Sequence, residues 1–301
     1  MMTDLFGNQR LKVNLHTHST LSDGQKTPEE VAKIYKAAGY DAIALTDHRI
    51  ALAEQVIEGL LILPGGEFDY GRDQVDKDVF HIIGTCYDRD PGYTYGMTPK
   101  QIIDVIHEAN GFAILAHPEW SLNTVEQVLR ADGASDADAS EIYNTVSDCV
   151  MSYRPDSSAI LDRLALRGCA FPLVASDDAH YYEADACKSF VMVRADEVSV
   201  DAIREGLRRG DYYASQGPEL HAWVEGNEIK VKCSPVSRIN FHTGFRWRNG
   251  TVVRGENLTE AVWKMPEFPG FVRVSVEDAQ GRRAWTSYLN LDGVTWEKQG
   301  E

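Results

Sequence analysis

The stretch VNLHTHSTLSDG, residues 13–24, sets two histidines two positions apart, with an aspartate shortly after. In an extended strand alternate side chains share a face, so Asn14, His16 and His18 point one way and Val13, Leu15 and Thr17 the other. Two imidazoles on one face at the end of a strand can chelate one metal. An H-x-H pair by itself also fits a polar patch, so the rest of the chain must decide.

Working outward, short apolar runs alternate with amphipathic helices from residue 11 to about residue 214. LKVNLHTH, YDAIALTDH, FAILAHPEW, ASEIYN and AFPLVASDDAH read as strands. TPEEVAKIYKAAG reads as a helix: Thr27 caps it, Pro28 opens it, Glu30 closes a capping box and Gly39 ends it. TPKQIIDVIHEANG repeats the device with Thr98, Pro99, Gln101 and Gly111. TVEQVLRADG, SSAILDRLALRG and SVDAIREGLRRGDYY complete the helices. Alternating strand and helix imply a mainly parallel sheet, and the number of units suggests a barrel-like closure.

The texture changes after ASQGPEL. HAWVEGNEIKVKC, FRWRNGTVV and FVRVSVEDAQGRRAWTSYL are alternating runs around turn residues, the signature of hairpins. Residues 1–215 are therefore expected to form an α/β unit and 216–301 a small antiparallel β domain resembling a sandwich.

Bulk properties narrow the function classes. A hydrophobic content of 43% with 25% charged residues suits a water-soluble globular protein, and no run approaches a membrane span. The start of the chain lacks a basic segment followed by an apolar one. Cys86, Cys149, Cys169, Cys187 and Cys233 are odd in number and show no C-x-x-C spacing, as expected for reduced thiols in a cytoplasm. A net charge of −16 argues against a nucleic-acid polymer as partner, because phosphate backbones need clustered Lys and Arg. It leaves a small anionic substrate open, since bound cations attract phosphate locally.

The histidine pair has company. His48 ends ALTDHR, Glu67 follows a glycine pair in LPGGEFDY, and His81 lies in VFHIIGT. His117 ends AILAHPEW; Asp178 and His180 end VASDDAH. Each is a ligand-type side chain in or just after an apolar run, where α/β barrels place their active sites. So many polar groups at strand ends need a shared partner, and a cluster of divalent metals is one. His107, His221 and His242 lie elsewhere and read as structural.

In this order, H-T-H-S-x-x-S-D-G, T-D-H, G-x-E, A-H-P and S-D-D-A-H resemble the motifs of the polymerase and histidinol phosphatase (PHP) family, over roughly residues 11–215. The resemblance implies a distorted (β/α)7-type barrel with its metals at the strand C-termini. Carried across, His16, His18, Glu67 and Asp178 match the ligands of one metal. Glu67 bridges to a second, held also by His81 and His117. Asp23, His48 and His180 match a third, where some relatives have a histidine in place of Asp23. Asp178 and His180 thereby become catalytic candidates. The extra Asp177 of SDDAH is a candidate for orienting a ligand or transferring a proton.

Mixed imidazole and carboxylate donors suit two or three Mn, Fe or Zn ions. The expected reaction is hydrolysis of a small phosphate ester, a sugar phosphate or nucleotide, by a hydroxide bridging two metals. A cyclic or small phosphodiester, a C–N bond, and an inactive metal-binding module are the alternatives. Arg154 in SYRPDSS and Lys188 in DACKSF are candidate phosphate-binding cations, with Arg49 beside His48 a third. Trp120 fits either a substrate wall or core packing.

Overall fold

The computed structural model describes residues 1–71, 78–265 and 268–294. The amino-terminal part runs β1 (Met2–Thr3), β2 (Gln9–Asn14), α1 (Pro28–Ala37), β3 (Ala42–Ala44), β4 (Gln55–Ile57), β5 (Leu60–Leu63), β6 (Gly65–Tyr70) and β7 (Phe80–Thr85). Then follow α2 (Pro99–Glu108), β8 (Phe112–Leu115), α3 (Val125–Leu129), β9 (Ala139–Asn144), α4 (Thr145–Cys149), α5 (Ser158–Ala165) and β10 (Leu173–Ser176). β11 (Phe190–Arg194), α6 (Val200–Arg208) and β12 (Tyr212–Ser215) lead to the carboxy-terminal strands β13 (Leu220–Glu225), β14 (Glu228–Thr243), β15 (Val252–Lys264), β16 (Val272–Glu277) and β17 (Arg283–Trp285).

The helix starts obey local chemistry. Thr27 and Thr98 each accept from the backbone three residues on, and Glu30 and Gln101 reach back to them. Thr124 and Gln127 form a third such box on the short α3. These bonds satisfy amide groups that have no partner within the helix. At the far end of α2, His107 Nε2 lies 2.9 Å from Asp138 Oδ2, and the hydrogen bond to Asp138 raises the imidazole pKa. A raised histidine adds stability that is complete below about pH 6.5 and fades as pH climbs through the raised value. Replacing His107 by Gln is therefore expected to flatten the pH dependence of stability above about pH 6.5, by a few tenths of a kcal/mol for a half-exposed pair.

The strands form two open sheets rather than the closed, mainly parallel barrel expected. One holds twelve strands, in the order β13-β14-β16-β17-β12-β11-β2-β3-β5-β4, with β1 on β2 and β15 on β14. The other has five strands in the order β10-β9-β8-β7-β6. The chain passes from one sheet to the other between β5 and β6 at Pro64, which has no amide hydrogen to extend a ladder. Among the described strands, β2-β3, β3-β5, β8-β9 and β9-β10 pair in parallel and the other pairs are antiparallel. β7 opposes both its neighbours, as does β11. Periodicity marks a strand but not the direction of its partner, so these reversals were invisible in the sequence.

The carboxy-terminal hairpins form as expected: β13 turns into β14 at Gly226-Asn227, and β16 pairs with β17. The expected separate sandwich does not. Ala214 and Ser215 of β12 pair with Trp285 and Ala284 of β17, which joins these strands to the larger sheet. The core is shared too: Tyr40, Phe190, Met192 and Tyr213 pack in one buried cluster with Val231, Ile239, Phe241 and Val274. Among the described residues, no helix is long and apolar enough to cross a membrane.

Candidate metal centre

The loops leaving β2, β3, β8 and β10 converge with β6 and β7. Backbone bonds stitch them: His18 donates to the Ala179 carbonyl at 3.0 Å, Asp178 to that of His16 at 2.9 Å, and Arg49 to that of Glu67 at 2.8 Å. The glycine pair before Glu67 permits the approach of β6. A Cβ on Gly65 would lie 2.6 Å from the Leu45 carbonyl oxygen, and one on Gly66 2.5 Å from that of Ile50. Three of the converging residues have left-handed backbone, Arg49 at φ 61°, His117 at φ 25° and Asp178 at φ 53°. A non-glycine residue holds such a conformation only where its surroundings enforce it.

All nine sequence-derived ligand candidates meet here. Glu67, 1% exposed, lies at the centre. Its Oε1 faces His81 Nδ1 at 2.8 Å and His117 Nε2 at 3.3 Å. Its Oε2 faces His48 Nδ1 at 3.0 Å, His18 Nε2 at 3.2 Å and His16 Nε2 at 3.5 Å. Asp178 Oδ1 lies 3.1 Å from Nε2 of both His16 and His18. On the solvent side Asp23 Oδ1 is 3.4 Å from His18 Nδ1 and 3.5 Å from His180 Nε2, and its Oδ2 is 3.5 Å from His48 Nε2.

Within this cluster, donor atoms close enough to share an ion fall into four overlapping groups: His18 with Asp23, His48 and His180; His16 with His18 and Asp178; His16 with Glu67 and His117; and His48 with Glu67 and His81. The grouping implied by the family resemblance is thus looser in the structure. His18 stands in the Asp23 group as well as with Asp178, and His48 reaches Glu67 as well as Asp23.

The donor set fits divalent cations. Asp178 Oδ1 is buried and has no hydrogen-bond partner, although two imidazole nitrogens face it. An orphaned carboxylate oxygen in the interior is costly unless a cation takes it. Burial pulls His16 down, but Asp178, Glu67 and Glu141 outweigh it and raise the imidazole to about 10. Burial would raise Asp178 and Glu67; the surrounding imidazoles hold both carboxyls well below the usual range instead. The pocket is built to hold positive charge.

Glu141 was missed in the sequence. It is fully buried on β9, receives the His16 Nδ1 proton at 2.8 Å, and accepts from the His117 amide at 2.9 Å and Asn144 Nδ2 at 3.0 Å. Ser176 Oγ also donates to it. The bond to Nδ1 directs the Nε2 lone pair of His16 at the cluster. A glutamate in the middle of the strand ASEIYN, every residue of which is buried, was the available signal. Replacing Glu141 by Gln should weaken divalent-metal binding by about 10–100-fold with the fold retained, as measured by metal titration beside a melting curve. Asn144, at the end of the same strand, donates from Nδ2 to Asp178 Oδ2 at 3.0 Å.

Asp177 is tied into the framework by hydrogen bonds. Its carboxylate accepts from the amides of Cys187, Lys188 and Ser189 at 2.7–2.9 Å and from the Tyr35 hydroxyl at 2.7 Å. All four donors lie outside the cluster, so the side chain anchors the loop that carries Asp178 and His180. Asp47, from the T-D-H motif, similarly ties down the 19–22 turn through the amides of Ser19 and Ser22.

Arg154 and Lys188 are exposed, and the structure brings neither side chain into the cluster's hydrogen bonds or ion pairs. Arg49 is held differently: Nε and Nη2 bind Asp69 at 2.5 and 2.7 Å, two residues along β6 from Glu67. Trp120 lies against the cluster, its ring centre 4.8 Å from that of His117 and 5.7 Å from that of His81. His107, His221 and His242 bond to Asp138, Glu219 and Ser275, away from the cluster.

No family profile and no curated protein matches the chain. Solved structures do. A two-domain protein containing a predicted PHP-like metal-dependent phosphoesterase, from Bacteroides vulgatus, is similar over 96% of this chain and 98% of its own, with 14% identity and a TM-score of 0.52. An amidohydrolase from Chromobacterium violaceum, solved with sulfate and no metal, covers 57% of this chain and 89% of its own at 16% identity and a TM-score of 0.43. A candidate metal-dependent phosphoesterase from Bifidobacterium adolescentis covers 56% and 87% at 14% identity and a TM-score of 0.39. The likeness to the Bacteroides protein runs through nearly the whole chain, so the two share a fold.

Proposed function

We propose that this protein is a metal-dependent phosphoesterase acting on a small soluble phosphate ester, with residues 1–215 forming the catalytic part and 216–301 an attached β part. The carrying observation is the buried, unbonded Asp178 Oδ1, set among the imidazoles that also surround Glu67. His16, His18, Glu67 and Asp178 would hold one ion, Glu67 with His81 and His117 a second, and Asp23, His48 and His180 a third. Divalent ions supply Lewis acidity and a hydroxide nucleophile at neutral pH.

Charge favours phosphate as the group attacked. The donor set has three carboxylates and six imidazoles. Two or three divalent ions bring about +4 to +6, which exceeds the ligand charge and makes the mouth cationic on an acidic protein. Glu141 and Asn144 keep His16 and Asp178 aimed, and Asp47 and Asp177 fix the loops. Arg49, held by Asp69, offers Nη1 to a substrate anion, and the exposed Arg154 and Lys188 are further candidates. Long nucleic acid is disfavoured by the net charge of −16. The five free cysteines suit a reducing cytoplasm.

The test is a panel of sugar phosphates, nucleotides, cyclic phosphodiesters and simple amides, run on protein reconstituted with Mn²⁺, Zn²⁺ or Fe²⁺. Release of phosphate that stops on chelation supports the proposal. An amide cleaved faster than every phosphate ester would replace it with a C–N hydrolase, and no turnover on any compound would reject it. Alanine at Arg49 is expected to raise KM for the best ester about tenfold with kcat nearly kept, as loss of one charge-assisted hydrogen bond implies.

A further inference from the structure

The carboxy-terminal hairpin touches the wall of the metal centre. Arg283, on β17, sits with its guanidinium carbon 5.0 Å from the Tyr143 ring centre and 5.1 Å from that of Trp285. Those two rings stack at 5.6 Å and 24°. Arg283 Nη1 also binds Asp156 Oδ2 at 2.6 Å. Its backbone is fixed by Gln216, whose amide donates to the Arg283 carbonyl at 2.8 Å and whose Oε1 accepts from the Arg283 amide at 3.2 Å. One side chain thus grips the end of β9 and the segment beside it.

That grip lies one residue from the centre. Tyr143 and Asp156 form an isolated bridge, and the Asn144 amide donates to the Pro155 carbonyl at 3.0 Å. The Asn144 side chain is fully committed. Its Nδ2 donates to Glu141 Oε2 and Asp178 Oδ2, both at 3.0 Å, while its Oδ1 accepts from the Ser147 amide and hydroxyl at 3.2 and 2.9 Å. Glu141 in turn orients His16. A continuous set of contacts therefore joins the β part to two groups that define one ion's place.

We propose that Arg283 is a positioning residue for the metal centre: by clamping Asp156 and Tyr143 it holds Asn144 where it orients Asp178 and Glu141. On this view the carboxy-terminal strands complete the site of the proposed hydrolase, and removing their grip loosens metal binding before it unfolds the protein. The inference rests on the metal-centre reading but not on the identity of the substrate.

The experiment is titration of metal-stripped full-length protein with Mn²⁺, followed by calorimetry, with no substrate present. Arg283→Ala and the isosteric Asp156→Asn are expected to weaken Mn²⁺ binding by about tenfold, the low end for groups that act through a ligand. Arg283→Lys keeps the charge and is expected to recover part of the loss. Arg273→Met breaks another contact of the β part, the pair with Asp162 at 2.7 and 2.8 Å, and serves as the comparison. It should lower the melting temperature and leave Mn²⁺ affinity unchanged. Wild-type affinity in Arg283→Ala and Asp156→Asn overturns the proposal, and so does an equal loss in Arg273→Met. If Arg283→Ala fails to fold, Asp156→Asn decides. Asp178→Asn separates the two readings: undiminished Mn²⁺ binding there would mean that the centre itself is misread.

Discussion

Replacing Glu67 by Gln is expected to remove both metal binding and turnover. Its two oxygens face five imidazoles at 2.8–3.5 Å, in a site only 1% exposed. The amide keeps the shape but loses the charge, and it turns an NH₂ group toward nitrogens that must themselves give lone pairs to a cation. Removing one partner of a buried charge pair costs about 3–5 kcal/mol. At 1.4 kcal/mol per decade that is roughly two to three and a half decades in metal affinity. Activity at a fixed metal concentration should fall at least as far. Metal content after gel filtration and the rate on the best ester from the panel measure both. A Glu67→Gln protein that keeps two ions per chain would show that the imidazoles bind without the central carboxylate, contrary to the geometry.

Trp285→Ala is expected to cause the largest loss of stability. Trp285 is 1% exposed and belongs to the core cluster that holds Tyr143, Leu173, Ala175 and Ala214. Truncating a buried tryptophan costs about 3–5 kcal/mol through lost transfer energy and an unfilled cavity. For a chain of this size that lowers the melting temperature by roughly 6–20 °C. Because β17 pairs with β12, the whole transition should move as one. A variant in which only a minor early transition shifts, with the main one unmoved, would mean that the carboxy-terminal strands fold as an independent unit.

Much of the site could be read from the chain because its residues obey local rules. The alternation in VNLHTH put His16 and His18 on one face before any fold was known. His48, His117, Asp178 and His180 sit where apolar runs end, and strand ends are where such a fold exposes side chains. The helix caps at Thr27 and Thr98 needed only residues three apart. Glu141 escaped because its role depends on His16 and His117, 125 and 24 residues away. The partners of Asp177 were hidden for the same reason. Its sequence neighbour is Asp178, but its hydrogen-bond donors come from Tyr35 and from the loop before β11.

Sequence alone determined the side-chain types that meet in the cluster, the helices α1, α2, α3, α5 and α6, and the hairpins after residue 215, since each depends on side-chain type and short-range spacing. Only the tertiary structure decided how strands pair. A ladder is a contact between distant segments, and β7, β11 and β12 look the same whichever way their neighbours run. That choice opened the expected barrel into two sheets, drew β17 onto β12, and brought Arg283 against the wall that aims Asp178.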